Sequence, residues 1–233
     1  MNIFAISDLH LCLSGAKPMD IFGATWENYL DEIKKDWNAR VTDEDYVLMA
    51  GDLSWALKLD EATNDLKYLQ SLKGKKIIIR GNHDYWWKSI SSLRKMLPDS
   101  IYPLQNDAIK IDKYIIAGTR GWTVPEKNKQ ETEEDEKLYK REILRLELSL
   151  EFAKKLKTDD NDIIIAMIHY PPFNSNFEDS EFTRLFEKYN VKKVIYGHLH
   201  GKNSRSILNT TKNGVEYFLT SCDKLNNKLV QIY

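Results

Sequence analysis

The chain has 233 residues, of which 42% are hydrophobic and 30% charged, with a formal net charge of -1. That length supports one domain, 1–233, with a full core. The near-neutral balance gives no global attraction to nucleic acid or an anionic membrane, and no apolar run is long enough to cross a bilayer.

Met1 opens the strand-like stretch MNIFAISDLH, with no basic region and no cleavage site, so neither a signal nor a transit peptide is expected. The run Asn2–Ser7 is apolar on both faces, as buried strands of α/β proteins are. Phe22, Trp26, Leu30, Ile33 and Trp37 then recur at helical spacing. A second strand, YVLMAG, ends at Gly51. A second helical pattern follows through Ala62, Leu66, Leu69 and Leu72, and Gly74 is its stop. A third strand, KKIIIRG, ends at Gly81. Strand–helix–strand–helix–strand predicts a parallel sheet.

Further along, Ala108–Ile111 and Tyr114–Gly118 predict a hairpin through Asp112 and Lys113. The segment 125–137 is charged and polar, and reads as a solvated loop or helix start. A helix pattern follows through Tyr139, Ile143, Leu146, Leu150 and Ala153; its period suits core packing and leaves homo-oligomer contact open. IIIAMIH ends at His169 and VKKVIYG at Gly197. VEYFLTS and KLVQIY are expected to close the chain as an antiparallel pair. So many strands predict two packed sheets with helices outside. Cys12 and Cys222 lack metal-site spacing and are expected to be reduced thiols in a cytoplasmic protein.

Chemistry-bearing residues follow each buried strand. They are Asp8 and His10 after the first, Asp52 after the second, and Asn82, His83 and Asp84 after the third. His169 ends a fourth, and His198 and His200 follow a fifth. All five histidines of the chain lie at such junctions. Carboxyl ends of strands line the ligand crevice of α/β sheets, so these groups are expected to converge. Asp8 and His10, like His198 and His200, are expected to share a face by strand alternation. Carboxylates, an amide oxygen and imidazoles, without thiolate, suit manganese, iron or zinc. The donors are too many for one tetrahedral ion and enough for two ions sharing a carboxylate, a pair that at about 3.5–4 Å can clamp a water and a phosphoryl group.

The ordered blocks Asp8-Leu9-His10, Gly51-Asp52, Gly81-Asn82-His83-Asp84, His169 and Gly197-His198-Leu199-His200 resemble those of the calcineurin-like metallophosphoesterases. The resemblance implies an α/β four-layer sandwich, two mixed β-sheets packed face to face and flanked by helices. It implies two divalent metal ions, with manganese favoured over iron or zinc. Asp8, His10, Asp52 and His200 would hold one ion, and Asp52, Asn82, His169 and His198 the other. Asp52 would bridge. His83 would protonate the leaving group, oriented by Asp84. The implied reaction is in-line hydrolysis of a phosphomonoester or phosphodiester by a metal-bridging hydroxide.

Gly51-Asp52-Leu53-Ser54 lacks the arginine that follows this block in protein serine/threonine phosphatases, and the chain is more similar to bacterial predicted phosphohydrolases. A small-molecule or nucleotide phosphoester is therefore the expected substrate. A nuclease acting on DNA or RNA is the alternative, weakened by the net charge. A non-catalytic metal-binding scaffold is a third reading, opposed by the complete ligand set. Arg120 is a candidate substrate contact, since a guanidinium grips phosphate through two donors. Trp55, Tyr85, Trp86, Trp87, Tyr170, Phe173 and Trp122 crowd the motifs and are read first as core packing, with stacking on substrate as the functional alternative.

Overall fold

A computed structural model describes residues 1–233 apart from 16, 128, 129, 202, 203 and 205. Two of these fall in the charged segment 125–137, so its reading is settled only around them.

The first sheet contains β1 (Ile3–Ala5), β2 (Tyr46–Met49), β3 (Lys75–Ile78) and β4 (Ile101–Pro103), all parallel. The second contains β5 (Asp107–Ile111), β6 (Tyr114–Thr119), β7 (Ile163–Ile168), β8 (Lys193–Tyr196), β9 (Asn209–Lys212) and β10 (Val215–Leu219). Its order is β5-β6-β7-β8-β10-β9, parallel except at the two edges. The last strand, β11 (Val230–Gln231), returns to the first sheet and lies antiparallel to β1.

Side-chain alternation builds three apolar layers. Ile3, Ala5, Leu48 and Ile77 of the first sheet meet Ile116, Ile165, Met167 and Ile195 of the second between the sheets. The other face of the first sheet, with Phe4, Val47 and Met49, packs on α1 (Tyr29–Arg40), α2 (Thr63–Ser71) and α3 (Ile90–Met96). The other face of the second, with Ile115, Ala166 and Val194, packs on α4 (Glu133–Leu156) and α5 (Glu181–Lys188). This is the four-layer sandwich of two mixed sheets. Each fully buried aliphatic side chain contributes about 1.5–3 kcal/mol.

Several expectations need correction. The first helix starts at Tyr29, because Gly23 at φ +122° breaks the pattern into two 3-10 turns, Met19–Phe22 and Ala24–Trp26. The closing strands do not pair with each other: Val215–Leu219 lies between β8 and β9, and Val230–Gln231 joins the opposite sheet. Helices α3 and α5 and strands β4 and β9 had no sequence expectation. The hairpin is as expected, with Asp112 at φ +53° in its turn. The charged segment becomes helix from Glu133, capped by the Thr132 hydroxyl accepting from Asp135 N, and four acidic residues in the first turn complement the helix dipole. Both cysteines are free thiols.

Candidate metal centre

The carboxyl ends of the two sheets meet at one edge. Ser7 and Ser221 form a parallel bridge there, with Ser7 N donating to Thr220 O and Cys222 N to Ser7 O. Past β1, the chain runs beside the turn after β2: Asp8 N donates to Gly51 O at 3.0 Å and His10 N to Asp52 O at 3.0 Å. Asp8, His10, Asp52 and His198 all lie in the left-handed region, at φ +56°, +46°, +52° and +70°. The expected strand alternation is therefore not what aims these pairs. Left-handed residues aim Asp8 and His10, and Leu199 N→Gly197 O and His200 N→His198 O close tight turns around the last two histidines. A non-glycine residue held there costs on the order of 1–3 kcal/mol, and such strain collects at functional sites.

Glycine is required at two contacts. A Cβ on Gly81 would stand 2.1 Å from Asp52 Oδ1, and one on Gly197 would stand 2.5 Å from Asp8 Oδ2. Both turns press backbone against a carboxylate.

The donors converge as two groups sharing Asp52. Ligating atoms of Asp8, His10, Asp52 and His200 all lie within 4.8 Å of one another, as do those of Asp52, His169 and His198. Asn82 joins the second group: its Oδ1 is 2.7 Å from His169 Nε2 and 2.9 Å from His198 Nδ1. His10 Nε2 and His200 Nε2 are 3.3 Å apart. Asp52 Oδ2 is buried without a hydrogen-bond partner among the described residues, 3.7 Å from His10 Nε2 and 3.5 Å from His169 Nε2. A buried acceptor left unpaired costs about 1–3 kcal/mol, more when charged. A cation between the groups removes that cost, and this oxygen-and-nitrogen donor set suits a divalent one.

A family model for calcineurin-like phosphoesterases matches residues 1–202. The chain belongs to the calcineurin-like phosphoesterase family. Members of this family typically bind divalent metals, and the Asp/His cluster described above is the corresponding feature here. No curated protein matches the chain in sequence. Among solved structures, the chain is similar to a protein of unknown function, AQ665, from Aquifex aeolicus, with TM-score 0.51 and 16% identity, covering 99% of this chain and 95% of that one. Vacuolar Protein Sorting 29 from Cryptosporidium parvum aligns with TM-score 0.40 and 12% identity over 93% of this chain and 72% of that one. No helix among the described residues is long and apolar enough to cross a membrane.

The carboxylates of the cluster are held by groups that sequence reasoning did not single out. Ser7 Oγ and Ser221 Oγ donate to Asp8 Oδ2 at 2.6 and 2.8 Å, and His198 N donates to the same carboxylate. Gly201 N donates to Asp223 Oδ2, which ties down the last histidine turn. His169 Nδ1 lies 2.8 Å from Ala50 O, the distance of an N–H donated to that carbonyl, which turns Nε2 toward the cluster. No motif marks Ser7, Ser221 or Asp223.

Electrostatics follow burial. Desolvation pushes the Asp8 carboxyl up, opposed by His169. Desolvation pushes His10 and His198 down to about 3. Burial, the largest single influence, would lower His169, but its interactions with Asp52, Asp8 and Ala50 together outweigh it and raise that imidazole to about 9. Asp52 is the counterpart: burial opposes its charge, yet His169 and His10 hold it well below the carboxylate range.

His83 is half-buried at the mouth of the cluster, its ring 5.5 Å from that of His10 and 4.5 Å from Trp55, and its N–H donates to Asp52 Oδ1. Burial lowers its pKa, with Asp52 opposing. Asp84 differs from expectation. Its carboxylate accepts from Leu53 N, Ser54 N, Gly81 N and Trp86 Nε1, so its bonds go to the two ligand-bearing turns rather than to the His83 ring. Burial raises Asp84 to about 6. The Arg120 guanidinium stacks over Trp122 and faces Glu142 at 3.9 Å, outside the cavity that holds His198.

The aromatics divide. Trp86 and Trp87 are core. Trp55 stacks on His10 at 4.6 Å, Tyr170 lies 4.4 Å from His198, and Tyr85 is exposed. Trp26, read from sequence only as a helix face, stands edge-on to His10 and His200 and walls the site. Phe173, Phe177, Tyr170 and His198 line a largely apolar cavity of about 300 Å³.

Proposed function

We propose that the chain is a binuclear phosphoesterase that hydrolyses a small-molecule phosphomonoester or phosphodiester. Asp8, His10, Asp52 and His200 would hold one divalent ion, and Asp52, Asn82, His169 and His198 the other, with manganese the favoured metal. The observation that carries this reading is Asp52 Oδ2, a buried and unpartnered oxygen facing an imidazole of each group. When bound, two such ions lower the pKa of water toward 7 and neutralise charge on a phosphoryl group.

The chain's own residues do the rest. Asp8 is fixed by two serine hydroxyls, so it needs no reorganisation to accept a cation. Asn82 contributes a neutral oxygen, which limits the negative charge an anionic ester must approach. His83, tied through its backbone to Asp52 and with no hydrogen bond to its ring nitrogens among the described residues, is placed to give a proton to the leaving oxygen. Asp84 sets the position of His83 by holding the backbone at Gly81 and Leu53. The apolar cavity beside His198 suits an uncharged ester group of modest size.

The test combines elemental analysis with hydrolysis of an aryl phosphomonoester and a bis-aryl phosphodiester in added manganese. Wild type is expected to hold two ions per chain and to hydrolyse at least one ester. Asp52→Ala should lose both ions. His83→Ala should keep both and lose about 100-fold or more in kcat, the scale of a general acid. Two ions retained by Asp52→Ala, or full occupancy with neither ester cleaved, would defeat the proposal.

A further inference from the structure

Beside the metal centre, and separate from the cavity that His198 lines, the structure holds a pocket of about 190 Å³ walled by Arg80, Arg120, Arg141 and Arg145. The four arginines come from three places: the end of β3, the end of β6, and one face of α4. A single carboxylate, the fully buried Glu142, stands among them. Its Oε1 takes Arg145 Nη1 at 2.6 Å and faces Arg141 Nε at 3.7 Å and Arg120 Nη2 at 3.9 Å. Its Oε2 accepts from the Thr119 hydroxyl. Arg80 takes no share: its Nε is buried and has no hydrogen-bond partner among the described residues.

Four cations around one anion leave an excess of positive charge. A guanidinium carries about five N–H donors, far more in total than one carboxylate can accept. A folded chain that only needed to neutralise Glu142 would use one arginine. Like charges held close in a partly desolvated pocket repel unless an anion joins them.

We propose that this pocket binds a tetrahedral oxyanion of the phosphate class, held by Arg80, Arg120 and Arg141 on a floor set by Glu142. Its position suggests the source. Arg80 is two residues before Asn82, and Arg120 O accepts from His169 N at 2.9 Å, so the pocket and the metal centre share their backbone supports. A substrate with a second phosphate could place it here while its ester lies at the metals. A free anion could instead occupy the pocket and brace the same supports. The first source rests on the phosphoesterase reading; the existence of the site does not.

The metal-loaded full chain is crystallised with selenate, and anomalous scattering locates the anion. Sulfate-dependent melting is followed in parallel for wild type, Arg141→Gln and Arg80→Gln/Arg141→Gln. A selenate peak among the arginines is expected. So is a saturable sulfate stabilisation that weakens at least tenfold in the double variant. Arg141 is exposed on α4, so the single variant keeps its fold and should show a partial loss. Selenate found only at the metals, or sulfate stabilisation equal in all three proteins, overturns the proposal.

Kinetics then separate the sources, comparing a small phosphomonoester that carries a second phosphate with its analogue that does not. A tenfold rise in KM in the double variant, confined to the doubly phosphorylated ester, assigns the pocket to the substrate. Unchanged KM for both esters, with sulfate binding still lost, assigns it to a free anion. If neither ester is cleaved by wild type, the phosphoesterase reading fails, while the selenate and sulfate results still decide the pocket.

Discussion

The two sheets supply the centre in different ways. The five-stranded sheet gives Asp8, His10, Asp52 and Asn82, on turns laced together by backbone hydrogen bonds and by the carboxylates of Asp52 and Asp84. The six-stranded sheet gives His169, His198 and His200. His169 is fully buried at a strand end, whereas His198 and His200 ride on short turns and are half-buried. The first sheet thus carries both carboxylates, whose charge must be fixed before an ion arrives. The second carries no carboxylate, only imidazoles: burial keeps His198 neutral, whereas the acidic cluster favours the charged form of His169. Charge is the costlier thing to misplace in a dry site, and it sits where the backbone is most constrained.

The comparison breaks most visibly at Gly81. In Gly81→Ala a methyl group would collide with Asp52 Oδ1, because the space is 2.1 Å. The turn must shift, at a cost of about 1–3 kcal/mol, and the shared carboxylate shifts with it. Loss of both ions is expected by elemental analysis, with a lowered urea midpoint. Normal metal content in this variant would show that the first sheet is more tolerant than the 2.1 Å contact implies.

A smaller effect should sharpen the comparison at Asp8. Ser7→Ala/Ser221→Ala removes both hydroxyls from its Oδ2. Supports of this kind are worth about 10–100-fold in metal affinity. Competition against a chromophoric chelator should show one ion weakened by that factor and the other nearly unchanged, because the second group does not include Asp8. Equal weakening of both would mean that the two groups act as one.

The smallest effect lies far from the centre, at the opposite end of β7. Asp162 accepts from Lys110 Nζ at 2.6 Å and from the backbone of Thr158 and Asp159. The Lys110 bond comes first in holding its carboxyl down at about 2 against 3.8. A depressed carboxyl stabilises the fold above its unfolded pKa and loses that contribution as pH falls through its folded one. Melting temperature should therefore drop between pH 3.8 and about 2, and Asp162→Asn should flatten that part of the curve. Metal affinity at neutral pH should not change; if it does, the second sheet is coupled to the centre along its whole length.

The strand cores and the converging motifs were legible because both depend on local rules. β-branched runs form buried strands, and their carboxyl ends face one crevice. What sequence did not reveal were the supports. Ser221 reaches the Asp8 carboxylate across 213 positions to sit beside Ser7, and no period or motif links the two serines. Asp84 was legible as important but not in its task, since an adjacent imidazole suggests a side-chain pair and only coordinates reveal four bonds elsewhere. Trp26 looked like a helix face because its spacing fitted one, and Gly23 beside it gave the only hint of a break. The terminal strands misled for a topological reason: two neighbouring runs each found a better partner in a different sheet.

The bridge between Ser7 and Ser221 has a bearing on how the protein is made. One hydroxyl support of Asp8 is encoded 213 residues after it. At about 5–20 residues per second, that carboxylate waits on the order of ten to forty seconds for its partner. During that interval the nascent chain carries Asp8 without one of its two hydroxyl supports, so the seat of that carboxylate is complete only after the segment following β10 has been made.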